Sequence, residues 1–137
     1  MPIKIKGLIH TSIRVWPGDV DVDAAQSFYA NVMGLQVDEG RGVIAGIPGF
    51  WVNVREGDVG QQIHVMGCDG QSSRARSPRE DPTRPHMAFV VDDINAAVEE
   101  LKAQGIDYWV YEALVGNASR QVFFEDPFGN MIELQEE

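Results

Sequence analysis

Glu125-Asp126-Pro127-Phe128-Gly129-Asn130-Met131-Ile132-Glu133-Leu134 is a turn followed by a strand, and the strand carries a charge in an awkward place. Pro127 fixes φ, and Gly129 or Asn130 can take the positive φ that a tight turn demands. In the strand, Ile132 and Leu134 point one way, while Met131, Glu133 and Gln135 point the other. A carboxylate in the middle of an apolar strand is costly unless it is paired or bound to a cation. The three histidines of the chain are candidates for that company.

Outward from this stretch, the chain reads as one unit written twice: strand, helix, three strands. In the second half Met87, Phe89 and Val91 alternate with His86, Ala88 and Val90 as a strand. Asp92 or Asp93 then caps a helix whose apolar stripe is Ile94, Ala97, Val98 and Leu101, and Gly105 ends it. Strands are expected at 108–111, 121–125 and 131–135. In the first half Lys4 to Val15 form a strand with Leu8, His10, Ser12 and Arg14 on one face. Asp21 or Asp23 caps a helix with the stripe Ala25, Phe28, Tyr29 and Val32, which Gly34 terminates. Strands are expected at 35–38, weakly at 43–45, and at 50–55 and 61–66, with turns at Pro48-Gly49 and Gly57-Asp58.

The two stripes correspond residue by residue at a constant offset of 69 positions, and the same offset carries His64 onto Glu133. His10 maps onto His86 with a slightly larger shift of 76, absorbed by the longer first strand–helix connection. Two copies of so long a repeat predict a pseudo-symmetric pair of modules sharing a sheet or cleft. The first module runs over about 4–67 and the second over about 86–136. Between them, residues 68–85 lack periodicity and are rich in Ser, Arg and Pro, the composition of a linker or mobile loop.

At 137 residues, 44% hydrophobic and 23% charged, the chain fits one compact α+β unit of two βαβββ modules. A formal net charge of −10 argues against nucleic acid and membrane surfaces as partners, since both want a basic face. No apolar run reaches a membrane span, no signal-peptide pattern opens the chain, and the single Cys68 excludes an internal disulfide. The cytoplasm is the expected location, and a small molecule the expected partner.

Each module places one metal-capable side chain on its first strand and one on its last: His10 and His64, then His86 and Glu133. All lie on the face opposite the helix. If the modules are related by a pseudo-twofold, the four converge into a shell for a divalent first-row metal, with positions left for water or substrate. Any one strand histidine is more often a hydrogen-bonded core residue. The coincidence of all three with a carboxylate at repeat-equivalent positions favours the metal.

The run Leu8-Ile9-His10-Thr11-Ser12-Ile13-Arg14-Val15, the helix end Phe28-Tyr29-Ala30-Asn31-Val32-Met33-Gly34-Leu35, the pair Pro85-His86 and the stretch from Asp126 to Leu134 together resemble the vicinal oxygen chelate superfamily. That group contains glyoxalase I, extradiol dioxygenases, methylmalonyl-CoA epimerase, fosfomycin-resistance thiol transferases and bleomycin-binding proteins. The resemblance implies paired βαβββ modules, a homodimer, and a divalent metal (Ni, Mn, Fe, Zn or Co) on His10, His64, His86 and Glu133. The activity it implies first is glyoxalase-type, lactoylglutathione-lyase-like lyase or isomerase chemistry on a small vicinal-oxygen substrate, with Glu133 as ligand and catalytic base. An iron-dependent extradiol-type dioxygenase and a non-catalytic bleomycin-resistance-like binding protein are the alternatives. The glyoxalase I pattern has a glutamate where this chain has His64, which leaves Glu133 the one ligand carboxylate able to act as base.

Arg14 shares the His10 face and could meet an anionic substrate or an acidic neighbour. Arg120 begins the strand before the Asp-Pro turn and could reach the cleft or the surface. Phe50, Trp51, Tyr108 and Trp109 suit either an aromatic pocket or the core, with Trp51 a candidate substrate contact. Cys68 shows no nearby base to activate it, and Gly40-Arg41-Gly42 is a turn signal only.

Overall fold

The computed structural model describes residues 2–55, 58–114 and 120–136. The chain divides into two compact units, one of Met1–Ile9 with His86–Glu137, the other of His10–Pro85. The first strand, β1 (Ile5–Val15), passes from one unit into the other between Ile9 and His10.

The unit of residues 10–85 holds the end of β1, helix α1 (Asp19–Ser27), and strands β2 (Gln36–Val37), β3 (Gly49–Arg55) and β4 (Asp58–Gly67). They lie in the order β2-β3-β4-β1, antiparallel except for the parallel pair β4 and β1. One sheet face is apolar: Phe50, Val52 and Val65 are buried against Ile13, Val15 and Ile63 and against Val22, Ala25 and Tyr29 of the helical segment. The other face carries His10, Ser12, Trp51, Asn53, Gln62 and His64, as the two-residue period of a strand requires. Gly49 begins β3 at φ +152°, where a Cβ would stand 2.1 Å from the Val65 carbonyl oxygen, so the position requires glycine. Of the turn expected at Gly57-Asp58, Gly57 lies outside the described residues and Asp58 already belongs to β4.

Three local expectations are corrected here. Helix α1 starts at Asp19 behind Gly18, with no side-chain cap. Asp21 and Asp23 are therefore helical residues, and Asp19 and Asp21 favour the positive N-terminal end of the helix dipole without capping it. The stripe is also rotated. Residues Phe28–Val32 form a π turn, closed by the Met33 N–H on the Phe28 carbonyl at 3.2 Å. The wider turn changes the phase of the helix. The core takes Val22, Ala25 and Tyr29, while Phe28 is 49% and Val32 71% exposed. Gly34, at φ +72°, then ends the segment as expected, and the Leu35 N–H reaches back to the Tyr29 carbonyl. Val43–Ala45 forms no strand, and Val43 is fully exposed.

The stretch 68–85 belongs to this unit and contains neither helix nor strand, yet it is tied down. Asp81 is 1% and Thr83 0% exposed. Asp81 accepts from the Ser72 hydroxyl and N–H at 2.7 and 2.8 Å, and from the Thr83 hydroxyl and N–H at 2.7 and 3.0 Å. Arg14 closes the knot, donating to the Thr83 carbonyl at 2.9 Å and hydroxyl at 2.6 Å and approaching Asp81 at 3.4 Å. A buried carboxylate with this many donors is satisfied, so composition suggesting a linker conceals a folded polar core. Burial by itself pushes the Asp81 carboxyl upward, but the hydrogen bonds from Ser72 and Thr83 together outweigh it and hold it below the usual aspartate range.

The second unit adds β5 (His86–Val91), α2 (Ile94–Ala103), β6 (Tyr108–Glu112), β7 (Arg120–Glu125) and β8 (Met131–Glu136). β5 runs parallel to β8, and β8, β7 and β6 follow antiparallel. Asp93, and not Asp92, caps α2 by accepting from the Ala96 N–H at 3.0 Å, while Asp92 pairs with Lys6 at 2.9 Å. Ile94, Ala97, Val98 and Leu101, the expected stripe, are all buried against Val91, Val122 and Leu134. On the opposite face Trp109, Tyr111, Phe123 and Met131 form a second apolar cluster. The Asp126–Asn130 turn has Gly129 at φ +85°, with the Asp126 carboxylate accepting from the Phe128 and Asn130 N–H groups.

The rotated stripe predicts that Tyr29→Ala costs about 2–4 kcal/mol and Phe28→Ala no more than about 1 kcal/mol, read as shifts of the urea midpoint at constant slope. An undisturbed α-helical phase would give comparable losses. Asp81→Asn is expected to cost about 2–3 kcal/mol at neutral pH by leaving the knot's donors mismatched. Because the Asp81 carboxyl keeps its charge to lower pH when folded than when unfolded, its contribution is complete above about pH 4 and drains away as the pH falls further. Urea curves at pH 7 and pH 3 should show the gap between wild type and Asp81→Asn closing in acid.

Candidate metal centre

In the second unit the parallel register of β5 and β8 sets Ala88 beside Glu133 and His86 beside Met131. The Glu133 and His86 side chains, both on the face away from α2, meet there: His86 Nε2 lies 2.8 Å from Glu133 Oε1. His86 is 8% and Glu133 4% exposed. Gln135, two residues on and on the same face, donates from Nε2 to Glu133 Oε2. Each carboxylate oxygen thus faces a polar partner, which is the condition for keeping this group inside. The Phe123 ring stands edge-on to His86, with ring centroids 5.7 Å apart, and stacks on Trp109 at 6.2 Å.

Gln121 lies in the same face, opposite Tyr111 on β6 and Gln135 on β8. It is 4% exposed, and its amide oxygen has no hydrogen-bond partner among the described residues. Strand alternation put Gln135 on the Glu133 face, but sequence reading gave neither Gln135 nor Gln121 a role at the site. Their spacing of two from Phe123 and Glu133 was the available signal, since residues i and i+2 of a strand share a face.

In the unit of residues 10–85, His10 is buried at 6% exposure and its ring stacks on His64, with centroids 3.7 Å apart and planes 17° from parallel. Trp51 stacks on the other side of His64 at 4.2 Å and 8°. The strand register accounts for the stack, for His64 sits opposite Trp51 on β3 and Ser12 on β1. His64 Nε2 lies 2.8 Å from Gln62 Oε1.

The structure thus joins His86 to Glu133 in one unit, and His10 to His64 and Trp51 in the other. Arg14 is committed to the Asp81–Thr83 knot. Arg120 does not share the Glu133 face: with Val122 and Phe124 it lies on the helix side of β7, and it donates to Asn95 Oδ1 at 2.8 Å. Phe50 and Tyr108 pack in the helix-side cores. Cys68 is a free thiol within 3.5 Å of the Thr83 hydroxyl. Imidazole nitrogen beside carboxylate oxygen is a donor set suited to a divalent first-row metal, and a buried His–Glu pair fits such an ion.

Comparison with known proteins shows the family of the chain. Residues 8–134 match the family model described as the Glyoxalase/Bleomycin resistance protein/Dioxygenase superfamily. The mitochondrial methylmalonyl-CoA epimerase of Mus musculus is 29% identical over 140 residues, covering 97% of this chain and 74% of that protein. The Homo sapiens enzyme is 29% identical over 133 residues, covering 94% and 73%. The crystal structure of methylmalonyl-CoA epimerase from Mycobacterium tuberculosis superposes with a TM-score of 0.68 at 25% identity, covering 99% of this chain and 91% of that one. Among the described residues no helix is long and apolar enough to cross a membrane. The chain belongs to the glyoxalase/bleomycin resistance protein/dioxygenase superfamily, whose members typically bind a divalent metal.

Proposed function

We propose that this chain is a divalent-metal-dependent epimerase, acting on the carbon between the thioester and the carboxylate of a methylmalonyl-type acyl-coenzyme A. The observation that carries the reading is the buried His86–Glu133 pair, a carboxylate held ready beside an imidazole. In this proposal His10, His64, His86 and Glu133 hold the metal, and the chain forms a homodimer. The relatives named above support the choice of epimerase over lyase or dioxygenase.

A divalent metal held by these residues would supply Lewis acidity toward the substrate's oxygens. Glu133 would take the proton from the carbon between the two carbonyl groups, the electron pair passing onto the carbonyl oxygens, and its conjugate acid would return a proton to that carbon. Gln135 holds the second carboxylate oxygen, so the base presents a defined edge to the substrate. Phe123, Trp109 and Tyr111 exclude water around that edge, which strengthens every charge interaction made there. Arg74, Arg76, Arg79 and Arg84 bring positive charge into one short stretch of an acidic chain, suiting the phosphates of coenzyme A.

The test is deuterium incorporation at the substrate's reacting carbon in D2O, with protein loaded with cobalt, nickel or manganese. Wild type should exchange only when metal is present, and a chelator should stop it. Glu133→Gln should lower exchange by about 10²–10⁴-fold. His86→Ala should lose metal during dialysis, as read by elemental analysis. Absence of exchange by fully loaded wild type would overturn the proposal. Accompanying hemithioacetal turnover would then indicate a lyase, and oxygen uptake with a catechol a dioxygenase.

A further inference from the structure

The amide of Gln62 is oriented by its neighbours. Its Nε2 lies 2.6 Å from Asp38 Oδ2 and 2.9 Å from Asn53 Oδ1. A carboxylate accepts hydrogen bonds and does not donate them, so the atom facing Asp38 must be the NH2. Asp38 is itself anchored, because its Oδ1 accepts the Gly40 N–H at 3.0 Å in capping the short turn Glu39–Arg41. The other end of the amide, the carbonyl oxygen, is consequently the atom that meets His64 Nε2 at 2.8 Å. A carbonyl oxygen only accepts, so Nε2 is the donor and carries the proton.

The stack completes the constraint. Trp51 and His10 hold the His64 ring from both sides and define its plane. Turning the ring over by 180° about its Cβ–Cγ bond would preserve the stacking and exchange Nε2 with Cε1 and Nδ1 with Cδ2, taking the N–H away from Gln62. Stacking therefore leaves the choice of edge open, and the Asp38–Gln62 pair makes it.

We propose that Asp38 and Gln62 are positioning residues that keep the proton of His64 on Nε2 and so make Nδ1 its electron-pair donor atom. The use of Nδ1 toward metal or substrate rests on the epimerase reading above; the position of the proton does not. Aspartate, glutamine and histidine form a relay in which one fixed charge decides the tautomer of a ring two hydrogen bonds away. His64 thereby acts through a defined nitrogen, and a defined nitrogen is what a metal shell or a proton-transfer step requires.

The experiment is a long-range ¹H–¹⁵N correlation spectrum of the metal-free protein at one fixed pH near 8, above the ordinary imidazole range. With only three histidines in the chain, His10→Gln and His86→Gln spectra assign His64. Wild-type His64 should show a protonated, pyrrole-type Nε2 and a pyridine-type Nδ1. In Asp38→Asn the new amide can donate to the Gln62 oxygen, freeing the Gln62 amide to turn over. The tautomer ratio should then move toward Nδ1–H by about tenfold or more, the worth of one charge-assisted hydrogen bond. Gln62→Glu keeps an acceptor against Nε2 and should retain the wild-type tautomer. Ring-current shifts of the Trp51 and His64 protons report whether each variant keeps the stack. Wild-type His64 protonated on Nδ1, or an Asp38→Asn protein with an intact stack and an unchanged ratio, would overturn the proposal. Deuterium exchange in Asp38→Asn, expected to fall about 10–100-fold in kcat with KM little changed, tests the link to catalysis. If loaded wild type exchanges no deuterium while the Nε2–H tautomer is observed, the epimerase reading fails and the relay stands.

Discussion

A carboxylate with 4% of its surface exposed must be met by donors or a cation, and Glu133 is the residue on which that demand falls most heavily. His86 answers it across the parallel β5–β8 pair and Gln135 answers it from the same strand. The arrangement depends on register. A slip of one residue in β8 would turn Glu133 into the layer of Leu134 and Val122 beneath α2. The Asp126–Asn130 turn, by fixing where β8 begins, protects that register. The Asp126 carboxyl, held below its usual range by the Asn130 side chain and then by backbone N–H groups, shows the turn drawing on its charged form.

The other unit solves a related problem differently. His10 and His64 are shielded by stacking on each other and on Trp51, and the polar edge of His64 is taken by an amide anchored on a carboxylate. Beside this, the Arg14–Asp81–Thr83 knot pins a segment without secondary structure. Arg14 is a polar residue on the histidine-bearing strand whose guanidinium is engaged in holding the fold together. Both units share one plan, an apolar sheet face under a helix and a second face with polar groups, and in both it is the second face that holds the histidines.

Much of this was legible from residue order. The 69-residue offset between helix stripes has a structural counterpart in the strand registers: Ser12 beside His64 in one unit, and Ala88 beside Glu133 in the other. Strand alternation correctly put His10, His64, His86 and Glu133 on faces away from the helices. It should have placed Arg120 as well, since Arg120 is odd by one from Gln121 and Phe123 and so belongs to the helix side. Proximity to the Asp-Pro turn was the weaker cue. The failure at Phe28 and Val32 was of another kind. Heptad-like spacing assumes 3.6 residues per turn, and a single π turn breaks that assumption without any mark in the local composition.

The sequence by itself determined the βαβββ repeat, the faces of its strands, the turn chemistry and which strands carry a histidine or glutamate on the face away from the helix. Each follows from short-range rules: a strand repeats every two residues, a helix about every 3.6, and glycine goes where φ must be positive. Only the tertiary structure decided which polar groups are partners. That Asp81 gathers Ser72, Thr83 and Arg14, that Gln62 turns its oxygen toward His64, and that Gln135 holds Glu133 are outcomes of burial. Water satisfies any polar side chain of an unfolded chain equally well. Once it is excluded, each donor must find its acceptor among the few groups the fold has brought within about 3 Å.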